Sequence, residues 1–436
     1  MTFETLDLHP TIIKILRKVG YQDMTDIQQE AIPHLLEYKD MLGSAQTGTG
    51  KTAAYALPII DHIMRQPDSG KKRLPKALVL APTRELALQI KESFDKYTRG
   101  LQIRIGVVYG GVAKRNQIMK VKRGLDILIA TPGRLIDLYT MRVIKLDMIQ
   151  HFVLDEADQM LDMGFIDDVK KIEKYLPKAR QTMLFSATLS QSILALSKDI
   201  LKTPVKIEIT PQHTPVEAIN QSVCFVSHQN KARLLEDVLG HESVTSALIF
   251  VRTKVRAEQL TKQLSTQGFK TEALHGDRSQ RQRQDALRNF KSNQVDILVA
   301  TDVAARGLDI NALSHVINYD VPESPEAYIH RIGRTARAGA VGHAITFCAK
   351  QESHLIKAIQ NHIDQKLPVN AEHDYVEKST GKQKAPQKPK QRSQQRSQQK
   401  PQQKYKQKAK SNNADKPFYY KQAKRKRRTY NKVKPA

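Results

Sequence analysis

Cysteine is scarce in this sequence, and long apolar runs are absent from it. Only Cys224 and Cys348 occur among 436 residues, each inside an apolar, strand-like run. Both are therefore expected to be buried hydrophobic residues in a reducing compartment rather than metal ligands. No run approaches the roughly eighteen apolar residues of a membrane span, and the start, MTFETLDLHP, lacks the pattern of a signal peptide. We expect a cytoplasmic protein with no membrane-spanning segment.

Acidic residues are also scarce near the C-terminus. The net charge is +27, and Val376 to Ala436 holds 21 Lys and Arg against 2 acids. The same stretch is rich in Gln and Pro and poor in aliphatic residues, so it cannot bury enough surface to offset its chain entropy. We predict a disordered tail over residues 373–436 that binds a polyanion through KRKRR (424–428) and stacks FYY (418–420) on bases. A solvated tail that only aids solubility is the alternative.

Short apolar runs alternate with helical patterns along the rest of the chain. The first series is ALVLA at 77, DILIAT at 126, FVLDEA at 152 and TMLFSAT at 182, with helical periodicity from Glu85 to Tyr97. The second series is ALIFV at 247, EALHG at 272, DILVAT at 296, HVINYD at 315 and AITFC at 344. This alternation predicts βαβ units, and therefore parallel sheets in an α/β fold.

The two series repeat each other. DILIAT ends at Thr131 and DILVAT at Thr301, while LVLAPT ends at Thr83 and LIFVRT at Thr253, so both pairs are 170 residues apart. Two matches at one offset indicate that the same α/β unit occurs twice.

A polar stretch with two prolines, ITPQHTPVEAI, separates the series and is typical of a linker. We predict an N-terminal domain over 1–207, a linker over 208–217, a C-terminal domain over 218–372 and the tail over 373–436.

A glycine-rich segment, AQTGTGKT at 45–52, is similar to a phosphate-binding loop. Glycines let backbone N–H groups converge on phosphate oxygens, Lys51 adds a positive charge, and Thr52 offers a hydroxyl to Mg²⁺. The helix expected after it would direct its positive end at the same anion. Ala45 stands where the strict motif has Gly, and a glycine turn that merely opens a helix is the alternative.

An acidic pair closes one of the apolar runs. In FVLDEAD, Asp155 and Glu156 follow a predicted strand, at the edge where α/β sheets hold ligands. Asp155 can hold Mg²⁺, and Glu156 can orient an attacking water or accept its proton. Acidic clusters are often solvated surface, but an acidic pair downstream of a phosphate loop indicates catalysis.

Three arginines follow one another at a spacing of three in HRIGRTARAG, residues 330–339. On a helix, Arg331, Arg334 and Arg337 would lie along one face and repel one another. Such a cluster predicts a negatively charged partner, and a solvated basic helix end is the alternative.

Several segments together resemble the DEAD-box RNA helicases of helicase superfamily 2, most closely the bacterial RhlE-type subgroup. They are AQTGTGKT, PTRELA (82–87), TPGR (131–134), DEAD (155–158), SAT (186–188) and HRIGRTARAG, in family order over residues 1 to 370. The resemblance implies two tandem RecA-like domains, with ATP and Mg²⁺ as cofactors.

The resemblance also implies an ATP site between the domains. Its catalytic residues would be Lys51, Asp155, Glu156 and the arginine fingers Arg334 and Arg337, with Thr52 and Asp155 on Mg²⁺. Where the family usually has Gly, this chain has Ala336. The implied ATP contacts are Phe3, Tyr21, Thr25, Gln28, Ala45, Gln46, Thr47, Gly48, Thr49, Gly50, Lys51, Thr52, Gly307 and Asp309.

The same resemblance implies an RNA site built from hydroxyls, guanidiniums and glycine amides, which suit phosphate and sugar oxygens rather than base edges. Ser186, Thr188, His330 and Arg331 would couple it to the ATP site. The implied RNA contacts are Pro82, Thr83, Arg84, Gly110, Gly111, Thr131, Gly133, Arg134, Arg252, Thr253, Gln280, Arg283 and Thr301.

The predicted function is therefore ATP hydrolysis coupled to local unwinding of RNA duplexes or remodelling of RNA–protein complexes. The resemblance implies a monomer that binds RNA without sequence preference, with ribosomal precursors and RNA-decay complexes as candidate partners. A non-enzymatic RNA-binding scaffold and a DNA-directed helicase are the alternatives.

Overall fold

Two parallel sheets, one in each half of the chain, organise the structure. It is a computed structural model that describes residues 1–45, 48–66, 73–209, 219–241, 243–305, 310, 313–336 and 342–376. Neighbouring strands in both sheets run parallel. The prediction of an α/β protein with two tandem parallel-sheet domains is confirmed.

The first sheet consists of short strands that are mostly buried along their whole length. They are β1 (Met41–Ser44), β2 (Ala77–Leu80), β3 (Ile105–Val108), β4 (Ile127–Ala130), β5 (His151–Leu154), β6 (Gln181–Ser186) and β7 (Val205–Glu208). Their order across the sheet is β3-β4-β2-β5-β6-β1-β7. Runs such as ILIA in β4 are apolar at every position because helices cover both faces of the sheet.

Two apolar cores lie on opposite faces of this sheet. One contains Tyr55 and Phe94, and the other contains Leu138 and Leu196. The short 3₁₀ helix Phe3–Thr5 joins the first core. The α-helices are α1 (Pro10–Lys18), α2 (Asp26–Leu36), α3 (Lys51–Arg65), α4 (Arg84–Tyr97), α5 (Lys114–Lys122), α6 (Pro132–Thr140), α7 (Ala157–Asp162), α8 (Ile166–Glu173) and α9 (Gln191–Ile200).

The second sheet has the same construction. Its strands are β8 (Ile219–Phe225), β9 (Ala247–Phe250), β10 (Thr271–Leu274), β11 (Ile297–Ala300), β12 (His315–Asn318) and β13 (Gly342–Cys348), in the order β10-β11-β9-β12-β13-β8. Cys224 and Cys348 lie in β8 and β13 with buried side chains, as the sequence predicted. Its helices are α10 (Lys231–Leu239), α11 (Lys254–Thr266), α12 (Gln280–Lys291), α13 (Asp302–Ala305), α14 (Pro325–Ile332), the 3₁₀ helix Lys350–Glu352 and α15 (Ser353–Ile363).

The repeat seen in the sequence is a repeat of topology. β2 and β9, β4 and β11, and α4 and α11 each begin 170 residues apart. β3-β4-β2-β5-β6-β1 of the first sheet corresponds strand for strand to β10-β11-β9-β12-β13-β8 of the second. The carboxyl ends of β2 and β9 therefore present Thr83 and Thr253 at matching positions, each as the N-cap of the helix that follows.

The borders of the domains lie partly outside the described residues. β7 ends at Glu208, inside the predicted linker, and residues 210–218 are not described. Val369 and Val376 form bridges to Val223 and Val226, so contacts with the second sheet continue beyond residue 372. Residues 377–436, which hold nearly all of the predicted tail, are not described. Among the residues that are, no helix combines the length and apolar character needed to cross a membrane.

Candidate functional site

The phosphate-type loop connects β1 to α3, so the N-terminus of α3 points at whatever the loop binds. Gly48 and Gly50 have φ values of +89° and +96°, a conformation that favours glycine. The buried Lys51 ammonium donates to the Ala45 carbonyl at 2.7 Å, across the base of the loop. Gln46 and Thr47 lie outside the described residues.

Thr25 and Gln28, two predicted ATP contacts, brace this loop. They form the capping box of α2, in which Gln28 Oε1 accepts from the Thr25 N–H at 3.0 Å. Gln28 Nε2 donates to the Gly50 carbonyl at 3.2 Å. A Cβ atom at Gly50 would lie only 2.4 Å from that nitrogen, so a side chain there would displace the Gln28 amide as well as strain the backbone at φ of +96°. The Gln28 amide retains one hydrogen and one lone pair for a nucleotide.

The predicted aromatic contacts, Phe3 and Tyr21, lie close together on the same side of the first domain. Phe3 is only 2% exposed, and its ring centroid lies 6.2 Å from that of Tyr21. The half-buried Tyr21 hydroxyl shares a 3.0 Å hydrogen bond with the Tyr97 hydroxyl. An adenine contact by either ring remains a prediction.

The acidic pair directly follows β5. Asp155 is 2% exposed, its Oδ2 accepts a 2.8 Å hydrogen bond from the Tyr55 hydroxyl, and Oδ1 has no hydrogen-bond partner among the described residues. Burial raises the pKa of the Asp155 carboxyl, and the positive charge of Lys51 opposes that rise.

Glu156 is also buried, and its backbone is in the left-handed region with φ of +54°. Burial raises the pKa of Glu156 to about 7, while the charges of Lys51 and Arg334 lower it. A carboxyl with a pKa near neutrality is suited to exchanging a proton with water. The influence of Arg334 is notable because that residue belongs to the second domain.

The residues present suit a divalent metal ion bound together with a nucleotide. Asp155 Oδ1 is a buried oxygen with no hydrogen-bond partner in the described part of the chain, and Thr52 supplies a hydroxyl at the start of α3. Among the described residues, no group of three or more His, Cys, Asp and Glu side chains could hold a metal by itself. Mg²⁺ suits such a site because it takes few protein oxygens and keeps water and phosphate oxygens as its other ligands.

The predicted arginine cluster does not form a single helix face. α14 ends at Ile332, so Arg334 lies beyond the helix, and the expectation of a shared face is wrong for Arg331 and Arg334. The Arg331 guanidinium binds both carboxylate oxygens of Asp302 at 2.6 and 2.7 Å and also donates to the Asp320 carbonyl at 2.8 Å. Arg331 is thus fixed within its own domain, whereas Arg334 acts on Glu156 of the other.

A small cleft lies between residues of the two domains. It is lined by Gln159, which follows the DEAD segment, and by Asp302, His330, Arg331 and Arg334 of the second domain. Arg337, Gly307 and Asp309 lie outside the described residues.

The predicted coupling residues Ser186 and Thr188 are tied to the DEAD segment by Asp158. Asp158 Oδ2 accepts from the backbone N–H groups of Ala187 at 2.9 Å and Thr188 at 3.2 Å. Ser186 Oγ donates to the Thr188 carbonyl at 2.7 Å. The chain after β6 is therefore hydrogen-bonded directly to the DEAD segment.

A cavity of about 460 Å³ between the domains brings together most of the predicted RNA contacts. Gly111 has φ of +75°, and a Cβ there would lie 2.0 Å from the Arg84 guanidinium, so a side chain at this position would displace Arg84. Gly111, Arg252, Thr253, Gln280 and Thr301 do not line the cavity. Those that do are Pro82, Thr83, Arg84, Gly110, Thr131, Gly133, Arg134 and Arg283.

Two predicted RNA contacts, Gln280 and Arg283, are held by a carboxylate of the first domain. Glu85 Oε1 accepts from Gln280 Nε2 at 3.0 Å, and Glu85 Oε2 pairs with the Arg283 guanidinium at 3.0 Å. Glu85 and Arg283 are 4% and 7% exposed, so this is a buried contact between domains.

Sequence reasoning missed Glu85, Asp158 and Tyr55. Glu85 and Asp158 lie inside the segments PTRELA and DEAD, so the sequence indicated that they belong to the site but not which residues they contact. Tyr55 lies one helical turn after Thr52, and this spacing is the sequence feature that could have placed Tyr55 beside the phosphate loop.

Comparison with known proteins agrees with this geometry. The family model described as DEAD/DEAH box helicase matches residues 25–196, and that described as Helicase conserved C-terminal domain matches residues 230–339. The ATP-dependent RNA helicase CshA of Listeria monocytogenes is 42% identical over 358 residues, which cover 82% of this chain and 68% of that protein. The DEAD-box ATP-dependent RNA helicase CshA of Bacillus subtilis is 39% identical over 384 residues, covering 88% and 77%.

Solved structures give the same result. Dbp5 of S. cerevisiae bound to RNA and ADP BeF3 has a TM-score of 0.75 and 32% identity, covering 85% of this chain and 95% of that chain. These similarities extend over both RecA-like domains. The chain therefore belongs to the DEAD-box family of ATP-dependent RNA helicases.

Proposed function

We propose that this protein hydrolyses ATP in the cleft between its two domains and uses the resulting opening and closing to separate or remodel RNA. The observation that carries the proposal is the cleft in which Gln159, three residues after Glu156, lies beside His330, Arg331 and Arg334 of the second domain. Because the acidic pair comes from one domain and these basic side chains come from the other, the ATP site would be complete only when the domains are together.

The chemistry follows from the residues around the loop. Backbone N–H groups, the start of α3 and Lys51 bind the phosphates, and Glu156 orients the attacking water and accepts its proton. Arg334, with Arg337, stabilises the charge that develops on the transferred phosphoryl group. Mg²⁺, held by Thr52 and Asp155, would neutralise phosphate charge when bound.

RNA binds across the same interface. The cavity lined by Arg84, Arg134 and Arg283 offers guanidiniums and backbone amides from both domains to one strand. Because RNA and ATP each gain contacts from both domains, each ligand favours closure and so strengthens binding of the other. Dbp5 of S. cerevisiae, bound to RNA and ADP BeF3, supports simultaneous binding of both ligands.

Finer assignments are also proposed. The sequence predicted a RhlE-type subgroup, whereas the curated relatives above are named CshA, which favours a CshA-like assignment among bacterial DEAD-box helicases. We further propose a cytoplasmic monomer acting on ribosomal precursors or RNA-decay complexes.

ATP hydrolysis with and without RNA tests the function. Glu156→Gln removes the proton acceptor but keeps the shape of the side chain, so ATP and RNA should still bind while turnover falls by about 10²-fold or more. Glu208→Gln, at an exposed position at the end of β7, is the matched control and should behave like the unaltered protein. Unchanged turnover in Glu156→Gln would contradict the assigned role.

The preference for RNA over DNA is tested in the same assay. Single-stranded RNA should stimulate ATP hydrolysis more than single-stranded DNA of the same sequence, because 2′-hydroxyls distinguish the two backbones. Stronger stimulation by DNA would favour a DNA-directed helicase instead, and equal stimulation would contradict a preference for RNA.

A further inference from the structure

Tyr55 lies directly beneath the phosphate loop, on α3. It follows Lys51 by four residues and Thr52 by three, so the three side chains share one face of the helix. Its ring is fully buried, with the rings of Phe185 and Phe94 at centroid distances of 5.5 and 6.2 Å. A phenylalanine would fill this apolar space equally well, so the hydroxyl is the part of the side chain that calls for an explanation.

That hydroxyl contacts one of the two side chains expected to hold Mg²⁺. It donates to Asp155 Oδ2 at 2.8 Å, and Thr52 lies one helical turn before Tyr55 on α3. One oxygen of the Asp155 carboxylate is thus occupied, while Oδ1 is buried with no hydrogen-bond partner among the described residues.

The contact determines which way the carboxylate turns. Without the phenol, Oδ2 would be a buried acceptor without a donor, a costly state that the carboxylate can relieve by turning. Asp155 Oδ1 would then no longer be held in the position expected for the metal.

We propose that Tyr55 is a positioning residue of the Mg²⁺ site, whose hydroxyl holds the Asp155 carboxylate so that Asp155 Oδ1 stays available to the ion. The inference rests on the proposed function, because the Mg²⁺ site is itself proposed. The competing explanation is a core tyrosine whose hydroxyl simply found an acceptor.

The test measures how strongly Mg²⁺ and nucleotide bind together in the full chain. The affinity for a fluorescent ADP analogue is measured with Mg²⁺ and with EDTA, and the ratio of the two dissociation constants reports the contribution of the metal. Tyr55→Phe keeps the ring and its packing. Tyr328→Phe is the matched control, because Tyr328 is also fully buried and donates its hydroxyl to Gln221 Oε1 at 2.8 Å, in the second domain.

We expect Tyr55→Phe to lower that ratio about tenfold, the usual effect of losing a hydrogen bond to a charged group. The affinity in EDTA should stay unchanged, and the free Mg²⁺ concentration for half-maximal ATP hydrolysis should rise by a similar factor. Tyr328→Phe should leave both quantities unaltered.

Two results would overturn the inference, and they are distinguishable. If the unaltered protein binds the analogue more tightly with Mg²⁺ and Tyr55→Phe does so within about twofold of the same ratio, Tyr55 is only a core residue. If the unaltered protein binds equally well with Mg²⁺ and with EDTA, the proposed metal site fails as well.

Discussion

At the scale of single residues, Ala336 shows how a departure from the family pattern is accommodated. The resemblance implied Gly at this place, and the structure gives Ala336 a φ of +53°. The backbone is confined there because a Cβ at the neighbouring Gly342 would lie 2.4 Å from the Ala336 nitrogen. The alanine methyl group therefore adds strain in a conformation that glycine adopts freely.

Ala336→Gly should relieve that strain and raise the free energy of unfolding by about 1 kcal/mol. Urea denaturation followed by circular dichroism measures the change. Ala286→Gly, inside α12 where the backbone is helical, is the control and should be destabilising by about 1 kcal/mol or more. A loss of stability in Ala336→Gly would show that strain at this position is not what limits the stability of the second domain.

At the scale of elements, α4 and α12 carry the contact between the domains. Glu85 in the first turn of α4 holds Gln280 and Arg283, both in the first turn of α12. These three side chains are buried, so removing Glu85 leaves Gln280 and Arg283 desolvated and without this partner. The contact between α4 and α12 therefore helps to hold the two domains together beside the cavity that contains the predicted RNA contacts.

Glu85→Ala should weaken this contact between the domains. The closed population without ligands should fall about tenfold or more, since a buried charge is left without its partner. Single-molecule fluorescence energy transfer between a dye on each domain gives the two populations. Glu92→Ala, at an exposed position on the same helix, should keep the original distribution. An identical distribution in Glu85→Ala would mean that other contacts hold the domains together.

Helices and strands could be predicted from the sequence where the local pattern of apolar and polar residues determines them. The strands ILIA and ILVA are apolar at every position because they are covered on both faces, and the helix from Glu85 to Tyr97 appears as α4. Pairs such as Glu85 with Arg283 or Tyr55 with Asp155 were not predictable, since they depend on strand order and domain contact. The helix-face expectation for Arg331 and Arg334 failed because α14 stops at Ile332.

At the scale of the whole molecule, charge is unevenly distributed. Residues 376–436 contain 21 Lys and Arg against 2 acids, out of a net charge of +27 for the whole chain. Neutralising phosphates releases counterions, so such a segment adds affinity for any RNA without reading its sequence.

Deleting residues 376–436 should weaken RNA binding and reduce the slope of log affinity against log salt concentration, because fewer phosphates are neutralised. Fluorescence anisotropy with labelled RNA at several salt concentrations measures both. ATP hydrolysis at saturating RNA should remain, as the cleft is intact. An unaltered slope would favour the solubility role of the tail.

The correspondence between the two sheets also has a stoichiometric consequence. β1 is followed by a glycine-rich loop, but its counterpart β8 is followed by VSHQN, which has no glycine with which to wrap an anion. We therefore expect a phosphate-binding loop after β1 but not after β8, so that each closing of the two domains would use a single ATP.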